Sequence, residues 1–167
     1  GRRETWIDRN VEQPDGKIFR EIPLPLTIPK STVFLSFARD MKYNPFNNLG
    51  LEVINGILDI VFVEKVREDE SGTYGVGVSL SSQKRPEESA RALISFDCNP
   101  PRAEELKKII YRELDSLMQK GPSQLNLDKT VKNILKNREE NKMHNSYWNS
   151  VLRSYYVYNI DINDPAN

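Results

Sequence analysis

Val66-Arg67-Glu68-Asp69-Glu70-Ser71-Gly72-Thr73-Tyr74-Gly75-Val76-Gly77-Val78 is the stretch that decides the fold. Upstream of it, Leu51, Ile54, Ile57, Leu58, Val61, Phe62 and Val66 recur at gaps that build one apolar helical stripe. The spacing predicts a helix capped by Asn48 or a neighbour and running to about Asp69. Its stop lies at Ser71-Gly72, with Gly72 suited to a left-handed cap, and Lys65 and Arg67 face the negative end of the helix dipole. From Thr73 the period changes to two. Tyr74, Val76, Val78 and Leu80 fall on one face of a strand, and Thr73, Gly75, Gly77 and Ser79 on the other. Two glycines on one face imply a close neighbour: first a packed helix, second a bound chain. Arg67 and Tyr74 thus flank a single turn. A forked cation and a phenolic hydroxyl in one fixed relation suit peptide carbonyls or a developing oxyanion.

Outward from this stretch the pattern stays α+β. Lys17 to Leu24 alternates, but Pro23, Pro25 and Pro29 make it an edge strand. Val33, Leu35 and Phe37 share a face of a strand over Ser31 to Arg39, and Lys42 to Asn48 reads as a loop. Ser82 to Glu88 is a polar turn. Ala92, Ile94, Phe96 and Cys98 alternate in phase along a last strand that Asn99-Pro100-Pro101 breaks. Leu106, Ile109, Ile110, Leu114 and Leu117 form the stripe of the next helix, which stops at Lys120-Gly121-Pro122. A third helix over about Asn126 to Glu140 carries Leu127, Val131, Ile134 and Leu135, and a fourth runs from Asn145 to about Tyr156. The order is β-β-α-β-β-α-α-α. Short links between strands predict an antiparallel sheet with helices on one face. The expected divisions are a lead-in over 1–15, one α+β domain over 16–158 and a polar tail over 159–167.

Composition narrows the function classes. Lys+Arg and Asp+Glu each number 24, which argues against a whole-domain grip on nucleic acid or an acidic membrane. No apolar run reaches transmembrane length. One cysteine, Cys98, permits no internal disulfide, and its phase with Ile94 and Phe96 makes it a buried, inert thiol. One histidine, His144, makes no metal site. Glu64, Glu68, Asp69 and Glu70 read as a solvated acidic helix end, with Glu68 placed to orient Arg67. Tyr147, Trp148, Tyr155, Tyr156 and Tyr158 have the spacing of core packing, or of an interface to missing domains. No phosphate-binding glycine loop and no Ser/His/Asp set is present.

The Arg67 to Val78 stretch resembles the C-terminal half of the pitrilysin/insulinase family of zinc peptidases, which includes the mitochondrial processing peptidases. The resemblance extends over about Lys17 to Tyr156. It takes in Ser31 to Phe37, Leu51 to Glu68, Ile94 to Cys98 leading into Pro100, and Asn145 to Leu152. It implies that Arg67 and Tyr74 contact a peptide substrate, and that zinc is held in the N-terminal half by a His-x-x-Glu-His helix. This chain has no such motif, so it reads as the C-terminal, non-zinc, substrate-binding domain of a metalloendopeptidase, inactive alone and without a cofactor of its own. The implied partners are the peptide substrate and the zinc-bearing half or subunit. Nucleic acid and membrane are not among them. The family points to a bacterial periplasm or cell envelope over the cytoplasm. Two alternatives stay open: a non-catalytic partner subunit of the same family, and a small α+β scaffolding domain in which Arg67 and Tyr74 are structural.

Overall fold

The computed structural model describes residue 7, residue 14 and residues 16–25, 27–68 and 73–163, with the backbone only of 67, 68, 73 and 74. The fold is α+β. Three strands, β1 (Ser31–Asp40), β2 (Thr73–Gln83) and β3 (Ser89–Cys98), form an antiparallel sheet in the order β1-β3-β2. Four helices accompany it: α1 (Pro45–Phe62), α2 (Ala103–Lys120), α3 (Gln124–Asn141) and α4 (Asn145–Arg153). Lys17 to Leu24 takes no strand, which corrects the expected first β of the order. Pro23 and Pro25 each remove a ladder donor, and Ile18, Phe19, Ile22 and Leu24 are left exposed.

The helix before the deciding stretch starts earlier than the asparagine-rich sequence suggests. Asn44 is its cap, the side chain accepting from the Asn47 amide at 2.8 Å, and Pro45 opens the first turn with its φ already helical. Residues 45–48 are therefore helix, not loop. At the other end α1 passes into a π-helical turn, Val63–Glu68.

The core lies between one sheet face and α1 and α2. Leu35, Ile94, Phe96 and Cys98 from the strands meet Leu58, Phe62 and Val66 from α1 and its π turn, and Leu106, Ile109 and Ile110 from α2. Phe62, Val66, Ile94, Cys98, Leu106 and Ile110 are fully buried. Each large apolar side chain so buried contributes about 1.5–3 kcal/mol. The register Leu35↔Ile94↔Val78 and Val33↔Phe96↔Val76 stacks the inward residues in rows across the three strands. Gly121, at φ 72°, closes α2 by donating its amide to Leu117 O at 2.9 Å, a conformation that glycine adopts without Cβ strain.

α3 is rotated from its expected stripe. Leu127, Thr130, Ile134 and Arg138 turn toward α1, while Val131 and Leu135 are 39% and 59% exposed. The reason is the α1–α3 crossing, where α1 offers Gly56. A Cβ there would stand 2.6 Å from Thr130 Cγ2, so Thr130 settles against the glycine and sets the helix's rotation. The C-terminal aromatics depart from core packing as well. Trp148, Tyr155 and Tyr156 are exposed, and Val151 is the buried residue of α4.

Candidate functional site

The junction between α1 and β2 has two departures from regular structure within a dozen residues. The first is the π turn Val63–Glu68, whose i→i+5 bonding widens the last turn and changes the angular position of Arg67 from that of an α-helix. Val66 in this turn and Phe62 just before it are buried, so the junction is anchored to the core. The second is a β-bulge at the start of β2. Thr73 pairs with Cys98 and Gly75 with Asp97, leaving Tyr74 as the extra residue. The alternation expected from sequence holds for Val76, Val78 and Leu80, which pack toward the core, and the backbone register shifts between Thr73 and Gly75. The side chains of Arg67 and Tyr74, and the turn over 69–72 with its Gly72 cap, lie outside the described residues. So do the side chains of Glu68, Asp69 and Glu70 in the acidic cluster.

Register brings further groups to this end of the sheet. Asp97, opposite Gly75, accepts a hydrogen bond from Thr32 Oγ1 at 2.6 Å and an ion pair from Lys30 Nζ at 2.9 Å. The Thr32 hydroxyl first, then Lys30, hold its carboxyl below the usual aspartate range. Asp97 carries no signal in sequence, because its partners become visible only once β1 and β3 are paired. Cys98 beside it is fully buried, and burial raises its thiol pKa above the ordinary value, as an unreactive core cysteine requires.

Among the described residues no helix packs on the glycine face. α1 and α2 both cover the opposite face, and among the described residues a Cβ at Gly75 would meet nothing within 4 Å and one at Gly77 only Ser95 Oγ at 3.5 Å. The expected packed helix is therefore corrected to an open, serine- and glycine-lined face. Phe34 and Leu93 are its exposed apolar members.

A second concavity lies farther along β2. The outer edge of β2, α1 and α3 enclose an open groove of about 720 Å³, lined by Val78 to Ser82, Glu52, Asn55, Asp59, Thr130 and Asn137 among others. The Leu80 amide donates to Asn55 Oδ1 at 2.8 Å, and Asn55 Nδ2 donates to Asp59 Oδ2 at 3.0 Å. Burial raises the Asp59 pKa. Thr130 Oγ1 is buried with no hydrogen-bond partner. The sequence signal for this groove was slight: Asn55 and Asp59 one helical turn apart, and a glycine in a helix interior.

As for a metal, no group of three His, Cys, Asp or Glu side chains among the described residues is placed to hold one. The chain's one histidine, His144, stands exposed before α4, and its one cysteine is buried in the core. This donor set does not fit a zinc ion. No helix among the described residues is long and apolar enough to cross a membrane.

The family model described as the peptidase M16 inactive domain matches residues 4–134. The chain belongs to that family. The pitrilysin/insulinase resemblance of the sequence is thereby borne out. Two solved proteases share the fold. One is the ferredoxin protease FusC, a mutant form in complex with Arabidopsis ferredoxin, at TM-score 0.69 and 16% identity over 83% of this chain. The other is the periplasmic protease PqqL from Escherichia coli, at TM-score 0.68 and 22% identity over 80% of this chain. The chain spans 16% of the FusC chain and 15% of the PqqL chain. No curated protein matches the chain in sequence.

Proposed function

We propose that this M16 inactive domain is the substrate-contacting part of a zinc metalloendopeptidase whose zinc site lies in a separate N-terminal half or subunit. In this reading Arg67 donates to a substrate backbone carbonyl, and the Tyr74 hydroxyl holds the substrate or the oxyanion that develops on the scissile carbonyl. The observation that supports it most is the junction itself. A π turn carries Arg67 and a β-bulge carries Tyr74, two local irregularities of the kind that re-aim side chains at functional sites, on either side of one short turn. The folding unit spans 16–158, with 1–15 as lead-in and 159–167 as tail. A bacterial periplasm or envelope is the proposed compartment, supported by the periplasmic protease that shares the fold.

The test uses the complete zinc-loaded peptidase. Tyr74→Phe removes only a hydroxyl, and a lost oxyanion donor should lower kcat by roughly 10²–10³-fold. Arg67→Ala should lower kcat/KM with zinc content unchanged. The two losses should be less than additive, because both groups grip one substrate unit. Unchanged turnover in Tyr74→Phe rules out a catalytic part for the hydroxyl. A lowered Tm with unchanged activity per folded molecule in Arg67→Ala makes Arg67 a helix-end cation only.

A further inference from the structure

We propose that the groove between β2, α1 and α3 is a binding site for a linear aliphatic polyamine, held by an ammonium group on the Asp59 carboxylate. The site goes beyond the substrate-contacting reading above and does not depend on it. Its ligand is a small molecule and not a chain. Asn55 already takes the Leu80 amide at the edge of β2, so the groove offers side-chain contacts and no main-chain ladder there.

Charge supplies the first argument. Glu52 and Asp59 line the groove, and among the described residues no lysine or arginine does. The two acids sit seven residues apart on one face of α1, roughly 10 Å at ~1.5 Å per residue. Glu52 is already paired with Arg138 at 3.1 Å. The Asp59 carboxylate, among the described residues, receives only the neutral Asn55 amide, at 3.0 Å on Oδ2. Asn55 is itself held by the Leu80 amide at 2.8 Å, so Asp59 is oriented from a rigid scaffold. Burial raises its pKa, a cost to the charged form that an adjacent ammonium offsets.

Neutral acceptors supply the second. An ammonium carries only donors, and a carboxylate alone does not use them all. Thr130, 3% exposed in the groove wall, holds a hydroxyl with no partner, and a buried hydroxyl left so is costly until a ligand satisfies it. Asn133 and Asn137, farther along α3, add amide oxygens to the same wall. Between these polar points Leu51, Ile60 and Ile134 give the methylenes of the ligand an apolar surface. The groove volume of about 720 Å³ lies within the ~300–1,000 Å³ typical of ligand sites. A few convergent polar groups on an apolar wall, one of them a carboxyl with a raised pKa, are the usual marks of such a site.

The probe is spermidine, titrated into this chain and read by isothermal calorimetry. Saturable one-to-one binding is expected. Octanediol, a neutral chain of similar length, should not bind. Asp59→Asn should weaken spermidine at least about tenfold. Thr130→Val keeps the side-chain shape, removes the hydroxyl and should weaken it about threefold or more. Asn137→Trp fills the groove from an exposed helix position and should abolish binding with an unchanged unfolding curve. Asp128→Asn removes an α3 carboxylate outside the groove and should leave the affinity as it was. Absence of saturation, equal binding of octanediol, full binding by Asn137→Trp, or equal losses in Asp59→Asn and Asp128→Asn would overturn the proposal.

Discussion

α2 and α3 have the same length, 18 residues, and both carry regularly spaced apolar residues, yet they meet the molecule differently. α2 lays Leu106, Ile109 and Ile110 into the sheet core. α3 does not reach the sheet core. It rests on the back of α1 through Thr130, and Leu125, Val131 and Leu135 remain exposed. The difference shows what a helical stripe in sequence specifies. It specifies that a face is apolar, and the partner available decides whether that face is buried. α2 follows β3 directly and falls onto the open sheet. α3 arrives once that face is filled, and the glycine on α1 selects its contact.

Breaking the α2 side should have the largest effect. Leu106→Ala removes a fully buried side chain at the centre of the core and should cost about 2–5 kcal/mol in denaturant unfolding. A loss under about 1 kcal/mol would mean that the α2 contact is not the main one. At the α1–α3 crossing, Gly56→Ala pits a helix-propensity gain of about 0.8–1 kcal/mol against overpacking of about 1–3 kcal/mol. The Cβ contact of 2.6 Å with Thr130 Cγ2 favours a net loss. Adding Thr130→Ser removes that methyl and should recover stability, a coupling that a double-mutant cycle reads directly. Stabilisation by Gly56→Ala alone would place α3 elsewhere.

On the outer side of α3, Leu135→Ala should change stability by no more than about 0.5 kcal/mol, the range of surface substitutions. The smallest effect belongs to Asp97→Asn. The folded carboxyl titrates below its unfolded value, so its stabilisation is present above about pH 4 and fades as pH falls through the lower folded value. Because the group is about a third exposed, the difference should stay within a few tenths of a kcal/mol. It should vanish in acid unfolding curves. A difference that grows toward low pH would reverse the sign of the argument.

What was legible in sequence follows the same division. The period-two rows of β1, β2 and β3 and the stripes of α1 and α2 were readable because they face one another across a single core. Cys98 was placed correctly by its phase with Ile94 and Phe96. The first strand was misread because Lys17 to Leu24 has alternation without enough backbone donors. The start of α1 was misread because Asn44-Pro45 is a helix opening that resembles a turn. The α3 face was misread because its partner is one glycine, whose effect depends on the crossing and not on local pattern. For the candidate site, the sequence offers Arg67 and Tyr74 on either side of one turn, and their role stays a proposal. The bulge at Tyr74, the Asp97 partners and the groove were not legible, since each arises from residues distant in sequence.

The strand order β1-β3-β2 also bears on synthesis. β3 is the central strand and the last made, and both neighbours bond to it rather than to each other. As the chain leaves the ribosome, β1 and β2 have no ladder to join, and every β1–β3 pair must close a loop that contains α1 and β2. Sheet formation therefore waits for Ser89–Cys98: the β2–β3 hairpin closes only the short link over 84–88, and β1 joins by closing the far longer loop.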